Sequence, residues 1–216
     1  MTDLFAAIND AQPERESLGD GAVLLRGCVG ADEQALLADL RLIVKAAPFR
    51  HLVTPGGHTM SVAMTNCGRV GWVSDARGYR YDPADPDSGR SWPEMPPSLR
   101  RLARRAALEG GYENFTPDAC LINRYKSGAK LSLHQDKDEL DLGAPIVSVS
   151  LGLPATFLFG GLTRGALQKR YRLTHGDVVV WGGPSRLAYH GVAPLPDGEH
   201  PVMGAQRINL TFRKTR

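Results

Sequence analysis

The sequence has no long apolar run and few cysteines. No segment approaches the ~18 consecutive apolar residues that a membrane-spanning helix requires, and the segment from Met1 to Phe5 lacks the basic region and apolar core of a secretory signal. The cysteines, Cys28, Cys67 and Cys120, are widely spaced and odd in number, so no disulfide framework is predicted. We therefore expect a cytoplasmic protein without membrane contact.

Internal repeats and low-complexity segments are also lacking, and neither sign of charge dominates. The chain carries 26 Lys and Arg against 23 Asp and Glu, a formal net charge of +3. This weak positive balance permits a polyanionic partner without requiring one. A length of 216 residues with 42% hydrophobic content is typical of one globular domain, which we expect to span 1–216.

Hydrophobic periodicity predicts two helices followed by many short strands. Apolar residues recur at helical spacing in 31–47 and 96–109, a short buried strand is expected at 21–26, and 1–20 is predicted to be irregular. From residue 119 onward, β-rich segments alternate with turn residues, at 119–125, 130–134, 146–152, 155–159, 170–174, 177–181, 186–189 and 207–213. We predict an α+β fold in which the N-terminal helices lie against a jelly roll of two facing sheets.

The segment 54–92 contains large aromatic residues among glycine, aspartate, serine and proline. These aromatics are interleaved with arginines, in the order Arg69, Trp72, Arg77, Tyr79, Arg80, Tyr81 and Trp92. Each aromatic alone is more often a loop anchor than a ligand contact. Together with the arginines they equally fit a surface that stacks bases and contacts phosphates, and composition leaves both interpretations open.

Two His-x-Asp motifs occur, and either pair would need a distant third ligand to hold a metal ion. The motif at 175–177 lies between two predicted strands, where Gly176 favours a turn. The other motif continues a predicted strand, and an extended backbone would place His134 and Asp136 on one face. We therefore predict His134 and Asp136 as the metal pair and His175 as a turn residue.

His190 is the best candidate for the third ligand, because it follows the predicted strand 186–189 and precedes a glycine. Two imidazoles and one carboxylate form a facial triad, which leaves half of the coordination sphere of Fe(II) open. Zinc also accepts these ligands. The motif alone therefore leaves open a zinc hydrolase, and the fold leaves open a jelly-roll binding module without a catalytic metal.

The predicted strand 207–213 carries an unusual polar face. Arg207, Asn209, Thr211 and Arg213 alternate with apolar residues. A half-buried strand also alternates, but two arginines on a strand that closes the core favour a dicarboxylate cosubstrate, since guanidinium groups pair with carboxylates through two hydrogen bonds. The arginines lie ~20 Å apart at ~3.3 Å per residue, so both would hold one small molecule only if their side chains converge.

Taken in order, these motifs resemble the AlkB family of iron(II)/2-oxoglutarate dioxygenases, which repair alkylated nucleic-acid bases. The resemblance runs from the Thr54–Trp72 segment to Arg213, and its most specific parts are Asn123-Arg124-Tyr125, His134-Gln135-Asp136, His190 and Arg207-x-Asn209-x-Thr211-x-Arg213. It implies a double-stranded β-helix core at 119–216 and a nucleotide-recognition lid at 50–92. It implies Fe(II), 2-oxoglutarate and dioxygen as cofactor and cosubstrates.

The resemblance also implies a reaction and a role for each matching residue. Bases such as 1-methyladenine and 3-methylcytosine, in DNA or RNA, would be demethylated with release of formaldehyde, succinate and carbon dioxide by an enzyme that we expect to be monomeric. The iron would be held by His134, Asp136 and His190. The far carboxylate of 2-oxoglutarate would pair with Arg207, in a pocket completed by Asn123, Tyr125, Asn209 and Arg213. The substrate would contact Met64, Trp72, Tyr79, Tyr81, Asp138 and Arg164.

Within this expected site, Trp72 would stack on the flipped base, with the ring of His134 on its other side. Tyr79 and Tyr81 would lie along the nucleic-acid backbone. Asp138 would reach the exocyclic amine of the base, although without the resemblance it is a solvated carboxylate in the charge run 136–139. An iron/2-oxoglutarate hydroxylase acting on a protein or a small molecule would carry the same metal motif and is the nearest alternative.

Overall fold

The computed structural model describes residues 14–216, which fold into two helices and two packed sheets. In chain order the elements are β1 (Arg15–Gly19), β2 (Ala22–Leu25), α1 (Glu33–Ala46), β3 (Arg50–Val53), β4 (Thr59–Gly68), β5 (Gly71–Asp75), β6 (Gly78–Asp82), α2 (Pro97–Glu109), β7 (Ala119–Tyr125), β8 (Leu131–His134), β9 (Ile146–Gly152), β10 (Ala155–Phe159), β11 (Lys169–Leu173), β12 (Val178–Trp181), β13 (His190–Val192) and β14 (Arg207–Arg213). Within these residues, no helix is long and apolar enough to cross a membrane.

A large and a small antiparallel sheet face each other. The large sheet has the strand order β1-β2-β12-β9-β14-β7-β4-β3, and the small one has the order β11-β10-β13-β8. Within residues 14–216, strands β5 and β6 pair only with each other and form a separate hairpin. This is the predicted α+β fold with a jelly-roll core, in which side chains from two inner faces fill the space between the sheets.

Two apolar cores lie on the two sides of the large sheet. The first packs α1 and α2 against the sheet, and the second fills the space between the sheets. Strand β14 contributes Ile208, Leu210 and Phe212 to the first core, while its four polar side chains line a cavity between the sheets and are also buried. Burying polar groups is costly unless they find partners, so the polar face of β14 marks the interior where a site must be sought.

Two secondary-structure predictions were wrong: the strand expected at 186–189 is absent, and the region 1–20, expected to be irregular, contains β1. Segment 186–189 contains no strand, because a 3-10 turn at Gly183–Ser185 continues through backbone hydrogen bonds from Arg186 to Gly183 and from Ala188 to Ser185. Strand β13 therefore begins at His190 rather than ending before it. In the region predicted to be irregular, β1 pairs with β2, while residues 1–13 lie outside the described part of the chain.

The expected lid at 50–92 is only partly separate from the core. Strands β3 and β4 join the edge of the large sheet beside β7, and the hairpin of β5 and β6 alone stands apart from both sheets. The core likewise extends beyond 119–216, since β1 to β4 complete the large sheet. The strands that carry the candidate site are therefore supported by both halves of the chain.

Candidate active site

The three predicted metal ligands meet between the two sheets. His134 ends β8 and His190 begins β13, and the two are directly paired in the small sheet. One ligand atom from each of His134, Asp136 and His190 can be chosen so that all three lie within 4.8 Å of one another. The Oδ1 atom of Asp136 is 3.5 Å from Nε2 of His134 and 3.9 Å from Nε2 of His190.

Hydrogen bonds fix both imidazole rings in the form that a metal needs. Nδ1 of His134 donates to the carbonyl of Ser132 at 2.9 Å, and Nδ1 of His190 donates to the carbonyl of Ala188 at 3.0 Å. The proton of each neutral ring therefore sits on Nδ1, which leaves the lone pair of Nε2 free for coordination. Burial, together with the nearby His134, lowers the pKa of His190 to about 4, so this ring is neutral at physiological pH.

Asp136 is held by two arginines rather than by strand geometry. Strand β8 ends at His134, so alternation along the strand does not place Asp136, contrary to the argument from sequence. Arg213 donates to Oδ2 of Asp136 through Nε at 3.1 Å and Nη2 at 2.7 Å, and Arg186 donates to its backbone carbonyl at 2.6 Å. Burial alone would raise the pKa of Asp136, but the charge of Arg213 keeps it well below its ordinary value. The ionised Oδ1 is thus left to face the imidazoles.

A cavity of about 670 Å³ opens above the triad between the sheets. Its wall brings together all the predicted site residues except Tyr81: Met64, Trp72, Tyr79, Asn123, Tyr125, His134, Asp136, Asp138, Arg164, His190, Arg207, Asn209 and Arg213. A volume of several hundred Å³ accommodates a small organic molecule. The distant parts of the sequence that carry the motifs therefore converge on one space.

Arg207 is a buried cation without an anionic partner in residues 14–216. Its side chain is 1% exposed, its Nε and Nη1 atoms have no hydrogen-bond partner, and Nη2 donates to Oγ of Ser150 at 2.9 Å. The guanidinium lies over the ring of Tyr125 at 5.0 Å. Burial lowers the pKa of Arg207, because removing the guanidinium from water disfavours its charged form. A carboxylate in the cavity would supply the missing partner.

The floor beside Arg207 is a network of amides and hydroxyls. Asn209 donates through Nδ2 to Oγ of Ser148 at 2.8 Å, and its Oδ1 accepts a bond from Thr211 at 2.9 Å. Asn123 donates to the same oxygen from Nδ2 at 3.5 Å, and its own buried Oδ1 has no partner in residues 14–216. The unpartnered N–H groups of Arg207 beside this floor fit a carboxylate of 2-oxoglutarate, and the three ligand atoms above fit Fe(II).

The hairpin of β5 and β6 provides the aromatic wall at the cavity mouth. The indole of Trp72 stacks on the ring of Tyr79 with centroids 5.5 Å apart and planes inclined by 14°. Nε1 of Trp72 donates to Oδ2 of Asp138 at 2.8 Å. Asp138 is exposed, as a solvated carboxylate would be, but it also orients the indole. Met64 lies on β4 and is 3% exposed, so it adds a rigid apolar wall.

Two predicted substrate residues are placed differently from the rest. The hydroxyl of Tyr81 donates to Oε1 of Glu139, and Tyr81 does not line the cavity. Arg164 is at the rim, with its guanidinium over the ring of Tyr189 at 5.3 Å. The contact of Tyr81 with nucleic acid stays a prediction, while its hydroxyl is engaged inside the protein.

Three residues near the site escaped the sequence argument: Ser150, Arg186 and Glu139. Ser150 orients Arg207, and Arg186 joins Asp136 to Glu139. Glu139 belongs to the charge run 136–139 that suggested a solvated surface, yet its side chain is only 2% exposed. The sequence offered one indication that Glu139 belongs to the site, its position three residues after Asp136. Its burial was not predictable, because a buried charge depends on partners from distant segments.

Comparisons with known proteins agree with this geometry. A family model described as the 2OG-Fe(II) oxygenase superfamily matches residues 21–213. The chain is 58% identical over 214 residues, covering 99% of it and 98% of the relative, to the alpha-ketoglutarate-dependent dioxygenase AlkB of Escherichia coli (strain K12). It is 46% identical to the AlkB homolog of Caulobacter vibrioides (strain NA1000 / CB15N), covering 85% of this chain and 82% of that protein. The solved structure of OsALKBH1 superposes with a TM-score of 0.82 at 30% identity, covering 93% of this chain and 100% of that chain.

Proposed function

This chain belongs to the 2OG-Fe(II) oxygenase superfamily and, within it, to the AlkB dioxygenases, and we propose that it demethylates alkylated nucleic-acid bases above His134, Asp136 and His190. It is an iron(II)- and 2-oxoglutarate-dependent dioxygenase, an oxidative demethylase of alkylated DNA or RNA. Formaldehyde, succinate and carbon dioxide are the products.

The observation that carries this proposal is the unpaired buried cation beside the metal ligands. Arg207 lacks an anionic partner in residues 14–216, and it lines the same cavity as His190 and Asp136. A metalloenzyme that needs only water and a metal has no use for this cation. A dicarboxylate cosubstrate would pair with Arg207 through one end and leave its other end for the metal.

Each protein group has a role that follows from its contacts. Bound iron and 2-oxoglutarate supply the oxidation of an N-methyl group by dioxygen, coupled to decarboxylation of 2-oxoglutarate. His134 and His190 would hold the iron through Nε2, and Asp136 would hold it through Oδ1. Arg207 binds the far carboxylate against the ring of Tyr125. The hydroxylated methyl group then leaves the base nitrogen as formaldehyde, which restores the base.

The protein floor and the arginines keep the cosubstrate in one orientation. Nδ2 of Asn123 makes only a 3.5 Å contact with Oδ1 of Asn209 and can donate to the cosubstrate, while Asn209 is locked by its own hydrogen bonds. Arg213 binds Oδ2 of Asp136, and its Nη1 atom has no hydrogen-bond partner among residues 14–216. We assign that free donor to the metal-binding end of 2-oxoglutarate, so that the two arginines of β14 contact opposite ends of one molecule.

The hairpin and the rim hold the damaged base and its strand. Trp72 stacks on the base, Met64 limits its depth, and Asp138 lies beside the base edge. Tyr79 and Arg164 are exposed at the mouth, where the backbone of the strand passes. A base within a duplex has to be flipped out at a cost of a few kcal/mol, and methylation of its pairing edge lowers that cost. Because one chain carries every residue of the site, we expect the enzyme to act as a monomer.

The test is formaldehyde release from methylated oligonucleotides. We expect 1-methyladenine or 3-methylcytosine in single or double strands of DNA or RNA to yield formaldehyde and succinate, and the unmethylated strand to yield no formaldehyde. Omission of iron, 2-oxoglutarate or oxygen should stop the reaction, which excludes a zinc hydrolase. Absence of formaldehyde from every strand, in protein that turns over another substrate with 2-oxoglutarate, would contradict the proposed substrate class.

A further inference from the structure

The β5–β6 hairpin is hydrogen-bonded at two neighbouring points to segment 136–139, which follows β8 and begins with the candidate metal ligand Asp136. Trp72 on β5 and Tyr81 on β6 are directly opposite each other in the hairpin, so their side chains lie on one face. Trp72 donates to Asp138, and Tyr81 donates to Glu139. Two residues that are paired across the hairpin thus donate to the carboxylates of two consecutive residues, which follow Asp136 by two and three positions.

The second of these carboxylates is buried. The side chain of Glu139 is 2% exposed. It accepts hydrogen bonds from the hydroxyl of Tyr81 and from Nη2 of Arg186 at 3.0 Å, and it forms an ion pair with Nε of Arg213 at 3.3 Å. Burial strongly raises the pKa of Tyr81 above its usual value, so its hydroxyl stays protonated and donates. A buried carboxylate persists only when it is paired in this way.

Both arginines that hold Glu139 also hold the metal ligand. Arg213 binds Oδ2 of Asp136 at 2.7 Å, and Arg186 binds the backbone carbonyl of Asp136 at 2.6 Å. A continuous chain of hydrogen bonds and ion pairs therefore runs from Tyr81 through Glu139 and the arginines to Asp136. Arg186 and Arg213 therefore connect the carboxylate that accepts from the hairpin hydroxyl with the candidate metal ligand, and Arg213 leaves Oδ1 of Asp136 to face the imidazoles.

We propose that Glu139 is a positioning residue that couples the β5–β6 hairpin to Asp136, so that binding of a base against the hairpin and binding of the metal strengthen each other. This inference rests on the proposed function, because it assigns the hairpin to base binding. Tyr81 is then the hairpin end of the connection rather than a contact to the nucleic-acid backbone. Energetic coupling between two ligands is reciprocal, which makes it measurable from the metal side alone.

Two hydroxyl deletions in the same hairpin separate coupling from simple support. Tyr81→Phe removes the hydrogen bond to Glu139 and preserves the ring. Ser74→Ala is the matched control, because Ser74 is a buried hairpin residue whose hydroxyl donates to the carbonyl of Val53 at 2.7 Å and has no contact with Glu139. Glu139→Gln tests the centre of the connection. If Glu139→Gln does not fold, the result with Tyr81→Phe decides the outcome.

The experiment measures Mn(II) affinity by calorimetry, without oxygen and with 2-oxoglutarate, in the presence and absence of a 1-methyladenine oligonucleotide. In the unmodified protein we expect the oligonucleotide to tighten Mn(II) binding. In Tyr81→Phe this enhancement should fall by about 2- to 10-fold, the equivalent of one hydrogen bond, and in Glu139→Gln by at least as much. Ser74→Ala should keep the full enhancement.

Three outcomes would overturn the coupling: no enhancement in the unmodified protein, full enhancement in Tyr81→Phe, or an equal loss in Ser74→Ala. Formaldehyde release by the unmodified protein is scored separately. If formaldehyde is released and the enhancement is unaffected by Tyr81→Phe, only the coupling fails. If no methylated strand yields formaldehyde, the proposed function itself fails.

Discussion

The two His-x-Asp motifs have the same spacing and make opposite use of their ring nitrogens. Nδ1 of His134 donates to a carbonyl, so Nε2 keeps its lone pair. Nδ1 of His175 instead accepts a hydrogen bond from the amide of Gly152 at 2.9 Å, so its proton sits on Nε2, which faces Glu33 at 3.3 Å. The direction of one hydrogen bond thus separates a ring that can bind a metal from one that supports a turn.

The aspartates of the two motifs differ in the same way. Asp136 has one oxygen held by Arg213 and one directed at the imidazoles. Asp177 has both oxygens engaged, by the amide of Gly27 at 3.0 Å and by Arg26 at 3.0 Å and the amide of Thr174 at 2.8 Å. A metal site is therefore recognised less by its residue types than by the atoms that the fold leaves available.

The largest expected difference between the motifs is in metal binding. His134→Ala removes one of three ligand atoms, so we expect Mn(II) binding at the site and formaldehyde release to fall below detection. His175→Ala removes a histidine from the other motif and should retain the Mn(II) affinity of the unmodified protein. Calorimetric titration of both variants checks this. Equal loss of affinity in both would show that the hydrogen-bond criterion does not distinguish the motifs.

The arginines beside the two motifs provide the next comparison. Arg207 has no anionic partner in residues 14–216, whereas Arg26 is paired with Asp177 and Glu16. Arg207→Gln should raise the KM for 2-oxoglutarate by about 10- to 100-fold, since hydrogen bonds to charged groups contribute roughly 1.5–3 kcal/mol. Arg26→Gln should leave this KM unchanged. Initial-rate kinetics with varied 2-oxoglutarate measure both, and a KM unaffected by Arg207→Gln would assign the cation another ligand.

Much of this contrast was predictable from sequence, because it depends on local chemistry. Gly176 has a φ of +88°, which confirms the turn expected from its position. The polar face of β14 was visible in the alternation of its residues, and it faces the cavity as a cosubstrate site requires. The structure brings the first motif together with His190, as the proposed metal pair requires, but one reason for choosing this motif failed, since Asp136 lies past the end of β8.

Other features depend on contacts that no local pattern contains. Glu139 and Arg186 are charged residues in segments that resemble surface. Glu139 is neutralised in the interior by Arg186 and Arg213, and Arg186 is neutralised by Glu139 in turn. The sequence of segment 186–189 suggested a strand, yet the amides of Arg186 and Ala188 bond back to the preceding 3-10 turn. The alternation of Tyr81 with arginines suggested a nucleic-acid surface, whereas its partner is a carboxylate 58 residues away in sequence.

The residues that follow each motif extend the comparison to the substrate. Asp138, two positions beyond Asp136, orients Trp72, whereas Val179 after the second motif is buried in β12. Trp72→Ala should raise the KM for a methylated oligonucleotide by roughly tenfold, because stacking of one base on an aromatic ring contributes about 1–3 kcal/mol. Turnover of 2-oxoglutarate without nucleic acid should change little. If demethylation of the oligonucleotide and turnover of 2-oxoglutarate without nucleic acid are impaired equally, Trp72 stabilises the fold rather than binding the base.

The smallest kinetic effect is expected at Asp177, where the comparison is sharpest. Asp177→Asn keeps the shape of the side chain but removes the charge that Arg26 and two backbone amides share, in a residue that is 2% exposed. We expect a loss of about 2 kcal/mol in the free energy of unfolding, which lowers Tm by roughly 4–8 °C in a domain of this size. Thermal unfolding and steady-state kinetics on the same sample measure the two effects.

The kinetics of Asp177→Asn decide what the second motif is for. Asp177 engages only the protein, so kcat and the KM for 2-oxoglutarate should equal those of the unmodified enzyme well below Tm. Asp136→Asn, the same change in the other motif, should abolish Mn(II) binding even where the protein stays folded, because the amide offers the metal no charge. A kinetic defect in Asp177→Asn without a fall in Tm would mean that the turn at 174–177 affects the active site. The two motifs would then differ in more than the atoms that each leaves free to bind a metal.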